Sequence, residues 1–214
     1  MKLLEFGRAL SRRGLGSLAV LMLIAALGTG EGRAAETQGP EQARKFLQTF
    51  GDQAVATLAA GGMTYQQRKD AFRGLIRSGF EIGTIGRLVL GRHWKSASEA
   101  QRVEFHRLFE DYVVVTTVKR LSGYSGEVLA VGAARPASSS GLVTVNSSIL
   151  TGSGGKIALD WRLRYNEGAW RVIDVVVEGV SMLQTQRAEF DAVIRNNGQG
   201  LDGLLSKLRS LVEA

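Results

Sequence analysis

The side chains that could carry out catalysis are few, and their spacing is unfavourable. The chain has two histidines, His93 and His106, and no cysteine. Neither histidine belongs to an HExxH pattern, so the sequence lacks a zinc site of familiar spacing. No serine stands in a GxSxG sequence, and there is no GxxxxGKS or GxxxxGKT loop for nucleotide phosphates. The sequence therefore predicts no catalytic residue, no metal and no cofactor, and we expect both histidines to be solvated or to cap other groups.

Asp174 and Glu178 are the best carboxylate candidates for proton transfer, and both stand in the run WRVIDVVVE (170–178). If one acted as a general base and the other as its partner, at least one would be buried with a raised pKa. If both are structural, they should meet backbone amides or a basic neighbour such as Arg171 or Arg187, and remain ionised. We expect the structural role.

These carboxylates lie in the stretch from Trp170 to Phe190, around which the chain is organised. Its first part is rich in β-branched residues, which suit a half-buried strand. Glu178-Gly179 interrupts the strand, because glycine adopts backbone angles that end one. Ser181 stands where an N-cap belongs, ahead of a helix that continues to Phe190. A strand thus leads directly into a C-terminal helix, and both share one core.

The segment before this stretch has helical periodicity as far as Leu121, and strand periodicity after Gly123. The predicted helices run from Glu41 to Gly61, from a cap at Thr64 to Phe80, from Ile82 to Gly91, and from a capping box of Ser98 and Gln101 to Leu121. Residues 93–97 are predicted to be a loop. The predicted strands cover 127–133, 142–150, 156–165 and 169–177, with hairpin chemistry between them.

Along the third strand, the apolar residues Ile157, Leu159, Trp161, Leu163 and Tyr165 alternate with polar or small ones, which indicates one buried and one wet face. A last helix from Asp202 should bury Leu204, Leu205, Leu208 and Leu211. The fold class is therefore α+β: N-terminal helices, a curved antiparallel four-stranded meander and C-terminal helices.

The N-terminus has the pattern of an export leader. A basic start including Lys2 and Arg13 precedes an apolar run over residues 15–27, and Gly32-Arg33-Ala34 supplies the small residues of a cleavage site. A membrane anchor would need about 20 apolar residues, and Ser11-Arg12-Arg13 weakly suggests the twin-arginine route. We expect residues 1–34 to be a signal peptide and 35–214 to be a single periplasmic domain.

Charge and cysteine content narrow the class of protein further. Without the five basic and two acidic residues before Ala35, the chain keeps 22 Lys+Arg against 18 Asp+Glu, a net charge of +4. This excess is small and scattered, so the sequence does not predict a nucleic-acid-binding protein. With no cysteine, the exported domain must be stable through its core alone.

Two segments carry a resemblance to a known family. The first is LVLGRHWKSASEAQR (88–102), continued by Phe105, Phe109 and Tyr112; the second comprises LDW (159–161), Trp170, Asp174, EGVSM (178–182) and DGL (202–204). In order and spacing they resemble the MlaC-type periplasmic phospholipid shuttles, also called the toluene-tolerance family. His93 stands where an aromatic residue is common, and the loop 135–141 is shorter than expected.

The resemblance implies a carrier that moves a phospholipid between the inner and outer membranes and so maintains outer-membrane lipid asymmetry. Its implied partners are the phospholipid with two acyl chains, an ABC-type inner-membrane lipid transport complex and an outer-membrane lipoprotein complex. A related branch of the family is tied to hopanoid lipids, and a hopanoid ligand stays open. The sequence also leaves open an isomerase-like enzyme with a cone-shaped α+β fold and a protein–protein adaptor with a solid core.

The resemblance also implies a lipid-binding wall, formed by the apolar faces of the elements around the lipid. A polar residue at Val145 is expected to lower the amount of co-purifying lipid more than it lowers stability. The implied wall residues are Leu88, Leu90, Phe105, Phe109, Val113, Val143, Val145, Ile157, Leu159, Trp161, Leu163, Met182 and Leu183.

Overall fold

The computed structural model describes residues 39–121, 126–137, 141–152 and 154–213; the predicted signal peptide lies outside these ranges. The helices are α1 (Pro40–Ala59), α2 (Tyr65–Gly79), α3 (Ile82–Leu90), α4 (Arg92–Ser96), α5 (Glu99–Leu121), α6 (Met182–Asn196) and α7 (Gly200–Glu213). The strands are β1 (Val128–Pro136), β2 (Leu142–Leu150), β3 (Lys156–Asn166), β4 (Ala169–Val177) and β5 (Val180–Ser181). Within the described ranges, no helix combines the length and apolar content needed to span a bilayer.

Three hydroxyl groups start helices, as predicted. Thr64 Oγ1 accepts from the Gln67 amide at 3.2 Å, and the Gln67 side chain accepts a hydrogen bond from the Thr64 amide. Ser98 and Gln101 form the same reciprocal capping box at the start of α5. Ser181 Oγ accepts from the Gln184 amide at 3.1 Å. Each bond satisfies an amide that the first helical turn leaves free.

The prediction of a loop at 93–97 is wrong, because Arg92–Ser96 forms the short helix α4. Its last carbonyls are satisfied from α5: Arg102 Nε donates to the Trp94 carbonyl at 3.0 Å and Nη2 to the Lys95 carbonyl at 3.2 Å. The same guanidinium lies over the Trp94 ring, 5.3 Å from its centre. This helix depends on a tertiary contact, which local periodicity does not report.

The sheet is an antiparallel meander in which strand order follows chain order, β1-β2-β3-β4-β5. It has five strands instead of the predicted four, because the two residues of β5 pair with Val176 and Val177. A two-residue strand is too short to show alternation. β1 also continues three residues past the predicted Ala133, beyond a register shift between Val131 and Ala134.

A bulge in β4 decides which of its side chains face the helices. Leu163 pairs with Val172, whereas Arg162 pairs with Asp174, so Ile173 is the extra residue. Because paired residues share a face, Val172 and Val175 both lie on the face of Leu163. Asp174 lies on the opposite face, with Arg162.

Three apolar clusters form the core. The sheet cluster joins α1 to β2, β3 and β4 through residues such as Leu47 and Leu163. The helical cluster joins α3, α5, α6 and α7, with Phe105 completely buried. A smaller cluster between α2 and α5 connects the two. Phe80 packs against both the sheet cluster and this smaller one, and Val113 packs against both the smaller one and the helical cluster. Leu204, Leu205 and Leu208 are buried as predicted, but Leu211 is 42% exposed, because only one face of α7 meets the core.

Candidate functional site

The structure divides the implied lipid wall between two separate clusters. Val143, Val145 and Leu163 belong to the sheet cluster, where α1 covers them with Ala43 and Leu47. Val145 and Leu163 are completely buried there. These three side chains are already enclosed by protein atoms, so they form part of a closed core.

The helical part of the wall is also closely packed. Leu90, Phe105 and Phe109 belong to the helical cluster. The Phe105 and Phe109 rings are stacked with centroids 5.5 Å apart, and Phe190 meets both edge-on, at 6.1 and 6.2 Å. Val113 and Leu183 pack at the border of this cluster and are only partly buried.

Of the remaining wall residues, Trp161 packs against the sheet cluster, whereas Leu88, Ile157, Leu159 and Met182 belong to neither cluster. Leu88 and Ile157 are 37% and 38% exposed, and Leu159 is buried. Met182, the first residue of α6, is half-buried. The structure therefore does not place all the residues of the implied lipid wall around a single cavity.

Half-buried apolar side chains gather where the clusters meet. The rings of Phe80 and Trp161 lie 6.4 Å apart, and Phe80 also packs in the α2–α5 cluster that Val113 borders. Val175 pairs with Trp161 across the sheet. We call Phe80, Val113, Trp161 and Val175 the junction. All four are apolar and only partly buried. An acyl chain could therefore replace water against these side chains, and no polar group would lose a hydrogen bond to water.

The polar atom of the junction is already satisfied. Trp161 Nε1 donates to Ser147 Oγ at 2.8 Å, and Ser147 is itself buried. Phe80 and Val175 are absent from the predicted wall. Phe80 sits at the end of the α2 apolar stripe, which was the available signal, whereas the position of Val175 depends on the β4 bulge.

Asp174 is a buried carboxylate held by three donors. Arg162 Nη1 donates at 3.0 Å, Ser181 Oγ at 2.7 Å and the Leu183 amide at 3.0 Å. The structural role is therefore the one observed, but the basic partner is Arg162 and neither Arg171 nor Arg187. The carboxylate also lies at the N-terminus of α6, where the helix dipole favours negative charge.

Glu178 serves a different purpose from Asp174. Its carboxylate accepts from the Ala158 amide, and its backbone takes the positive φ of 48° in the turn between β4 and β5. It is exposed. The two carboxylates thus hold backbone groups at separate points, which is not the arrangement of a general base and its partner.

The histidines pack against neighbouring side chains. His93 Nε2 lies 2.8 Å from Asp191 Oδ1, and this hydrogen bond, together with Arg92 and Arg195, holds the pKa of Asp191 below its usual value. His106 packs edge-on against Trp94 at 4.9 Å, and burial, aided by Arg87, lowers its pKa. In the part of the chain that the structure describes, no three acidic or histidine side chains gather as metal ligands would.

Comparisons with known proteins identify a matching family and similar proteins. A family model described as MlaC protein matches residues 48–210. The intermembrane phospholipid transport system binding protein MlaC of Haemophilus influenzae is 24% identical over 171 residues, which is 77% of this chain and 79% of that protein. The phospholipid-binding protein of Ralstonia solanacearum, solved in complex with a phospholipid, superimposes with a TM-score of 0.67 at 22% identity, over 80% of this chain and 97% of that one.

Proposed function

The chain belongs to the MlaC family, and we propose from this premise that it binds a phospholipid and carries it between the inner and outer membranes. Both relatives have names that refer to phospholipid binding. The carrier maintains the lipid asymmetry of the outer membrane and performs no catalysis.

The observation that carries this proposal is the junction, where the apolar side chains of Phe80, Val113, Trp161 and Val175 stay only partly buried beside the sheet cluster and the α2–α5 cluster. A phospholipid with two acyl chains has roughly 30 methylene groups, each costing about 0.8 kcal/mol in water. Unassisted transfer through an aqueous space is therefore extremely slow. A carrier has to offset this cost about as well as a bilayer does, and need not exceed it.

Its partners are an ABC-type inner-membrane complex and an outer-membrane lipoprotein complex. When the carrier binds its lipid about as well as each partner does, small differences in affinity set the direction of transfer. The working location is the periplasm, with residues 35–214 acting as a single lipid-binding domain.

Mass spectrometry of an organic extract of the purified mature domain tests this proposal. A phospholipid, absent from another exported protein purified in parallel, is the expected result. A hopanoid would instead support the hopanoid-associated branch of the family. An extract without any lipid, from a protein that also takes none up from vesicles, would contradict the carrier and favour the adaptor with a solid core.

A further inference from the structure

A surface groove lies between α3 and α6. Among its lining residues, only Leu90 belongs to one of the three apolar clusters. Its volume is about 290 Å³, and Leu90, Arg92, Gln184, Arg187, Ala188 and Asp191 line it. We call it the α3–α6 groove. Leu90 is 2% exposed and belongs to the helical cluster, so an apolar floor lies beneath polar walls.

Arg187 supplies a cation with no partner inside the part of the chain that is described. Its guanidinium lies directly against the backbone of Gly91, where a Cβ atom would come within 2.8 Å of Nε and Nη2. Gly91 has a φ of 55° between α3 and α4. The side chain is exposed and makes no hydrogen bond or ion pair with any residue that the structure describes, so its donors remain available to a ligand.

The carboxylate in the groove does not neutralise Arg187. Asp191 Oδ1 accepts from His93 and from Arg92, each at 2.8 Å, and Oδ2 accepts from Arg195 at 2.9 Å. Three groups therefore share a single negative charge. Arg92 keeps other donors free, because only its Nη2 binds Asp191 and the side chain is 68% exposed.

The excess positive charge selects an anion of a particular shape. The guanidinium groups of Arg187 and Arg92 carry planar, forked donors, which match the oxygens of a phosphate. The groove also adjoins the implied lipid wall, since Leu90 forms its floor and Leu183 directly precedes Gln184 in α6. Leu183 and the junction residue Val113 both pack at the border of the helical cluster, so the acyl chains of a lipid held at the junction would approach the groove from that border.

We propose that the α3–α6 groove holds the phosphate of the bound lipid, with Arg187 and Arg92 as its ligands. This assignment rests on the proposed function. A free phosphate has the same chemistry, so the two sources have to be separated by experiment.

The test compares a lipid that carries a phosphate with one that does not. Delipidated protein is incubated with vesicles containing equal amounts of dioleoyl phosphatidylglycerol and dioleoylglycerol, recovered, and extracted for mass spectrometry. Wild-type protein should retain the phosphatidylglycerol in about tenfold preference, the factor expected for one charge-assisted hydrogen bond. Arg187→Gln should lose that preference and retain dioleoylglycerol unchanged.

Arg107→Gln is the matched control. It removes the same charge from the exposed side of α5, and Asp111 keeps its second partner, Arg73, at 2.7 Å. This variant should keep the preference for phosphatidylglycerol. Circular dichroism should show Arg187→Gln folded, because the side chain it removes is exposed and unpaired within the described residues.

The outcomes separate the two proposals. If wild-type protein retains neither lipid, the carrier function itself fails. If both lipids are retained without preference, or if Arg187→Gln and Arg107→Gln behave alike, the groove is not the head-group site. If calorimetry shows Arg187-dependent binding of inorganic phosphate while lipid preference is unaffected, the groove binds free phosphate and the lipid assignment is overturned.

Discussion

Asp174 connects three parts of the chain through one carboxylate. Its donors come from β3, from β5 and from the first turn of α6, so it fixes the direction in which the helix leaves the sheet. Being only 5% exposed, it would carry a large desolvation cost without them.

Asp174→Asn should weaken the fold while leaving transport intact. The amide keeps the size and an acceptor oxygen but loses the charge, which should lower the free energy of unfolding by about 1–3 kcal/mol. Urea denaturation measures this loss, and lipid transfer between vesicles with partners supplied measures function. Transfer should persist in the folded variant. A folded, lipid-loaded Asp174→Asn protein that transfers nothing would contradict the passive carrier and revive the enzyme.

Gly91→Ala should be costly for a backbone reason. With φ 55° and ψ −121°, Gly91 occupies a region that residues with a Cβ disfavour, and we expect a loss of about 1–3 kcal/mol. Gly74→Ala in α2 is the control, because its Cβ would meet nothing within 4 Å and should stabilise the helix by about 0.5–1 kcal/mol. Thermal denaturation compares the two; equal effects would contradict this interpretation.

At the residue scale, the sequence predicted local hydrogen bonds better than distant ones. The caps at Thr64, Ser98 and Ser181 involve residues three apart, so their spacing was visible. Arg162 reaches Asp174 only because of the β4 bulge, and no pattern of residue types indicates an inserted residue. The sequence offers Arg187 as a partner for Asp174, but the Arg187 guanidinium lies against Gly91.

At the scale of elements, the sheet has both a closed and a partly open region. Val145 pairs with Trp161, yet Val145 is completely buried under α1 whereas Trp161 and Val175 are half-buried. We therefore expect a polar residue at Val175 to lower the amount of co-purifying lipid more than one at Val145 does.

A matched pair of substitutions tests this difference. Val145→Asn should cost about 2–4 kcal/mol of stability, because it places a polar group and a cavity in a closed core. Val175→Asn should cost less and should reduce the lipid retained per folded molecule. Urea denaturation and quantified lipid extraction measure the two effects. Greater lipid loss with Val145→Asn than with Val175→Asn would remove the junction from the binding site.

Acidic pH should weaken the ion pairs of Glu81 and Glu110, which join separate helices and strands. Burial tends to raise the pKa of Glu81, but hydrogen bonds from Thr84 and Arg164 bring it below its usual value; Arg77 and Arg73 do the same for Glu110. Because the folded pKa values lie below the unfolded ones, this stabilisation is complete above the ordinary carboxyl pKa. It is lost as the pH falls through the lower, folded values.

The melting temperature should therefore fall as the pH decreases below about 4. Glu81→Gln should have a lower melting temperature near neutral pH and a smaller further decrease in acid, since it lacks one of these groups. An unchanged acid dependence in that variant would show that Glu81 contributes nothing to it. Thermal scans in buffers of equal ionic strength provide the measurement.

Most elements were predictable because their periodicity extends over several turns or residues. The helix α4 and the strand β5 were not, since they have five and two residues. Alternation placed Ile157 on the face of Leu159, yet it is exposed, because alternation gives the face of a residue and not the extent of the covering layer. The implied wall was divided for the same reason: sequence identifies apolar faces, but only packing shows which of them are already closed.

At the scale of the whole molecule, we expect export to determine where the protein works. We expect the mature chain to begin near Ala35, since the basic start, the apolar run and the small residues at Gly32 and Ala34 fit a cleaved leader. N-terminal sequencing of protein from a periplasmic extract measures this directly. Recovery of chains that keep Met1 in the membrane fraction would contradict cleavage and support an anchor.

The order of the strands has a consequence for how the chain folds. The five strands described here pair only with their neighbours in sequence, so each hairpin closes a short loop at small entropic cost. The helical cluster is different, because contacts such as Gln101 with Asp202 span about half the chain. The meander can thus form as soon as its strands are available, while the helical core stays open until α6 and α7 arrive. A chain that emerges from its N-terminus therefore leaves its most apolar helix faces uncovered longest, and it is during this interval that the protein most needs protection from aggregation.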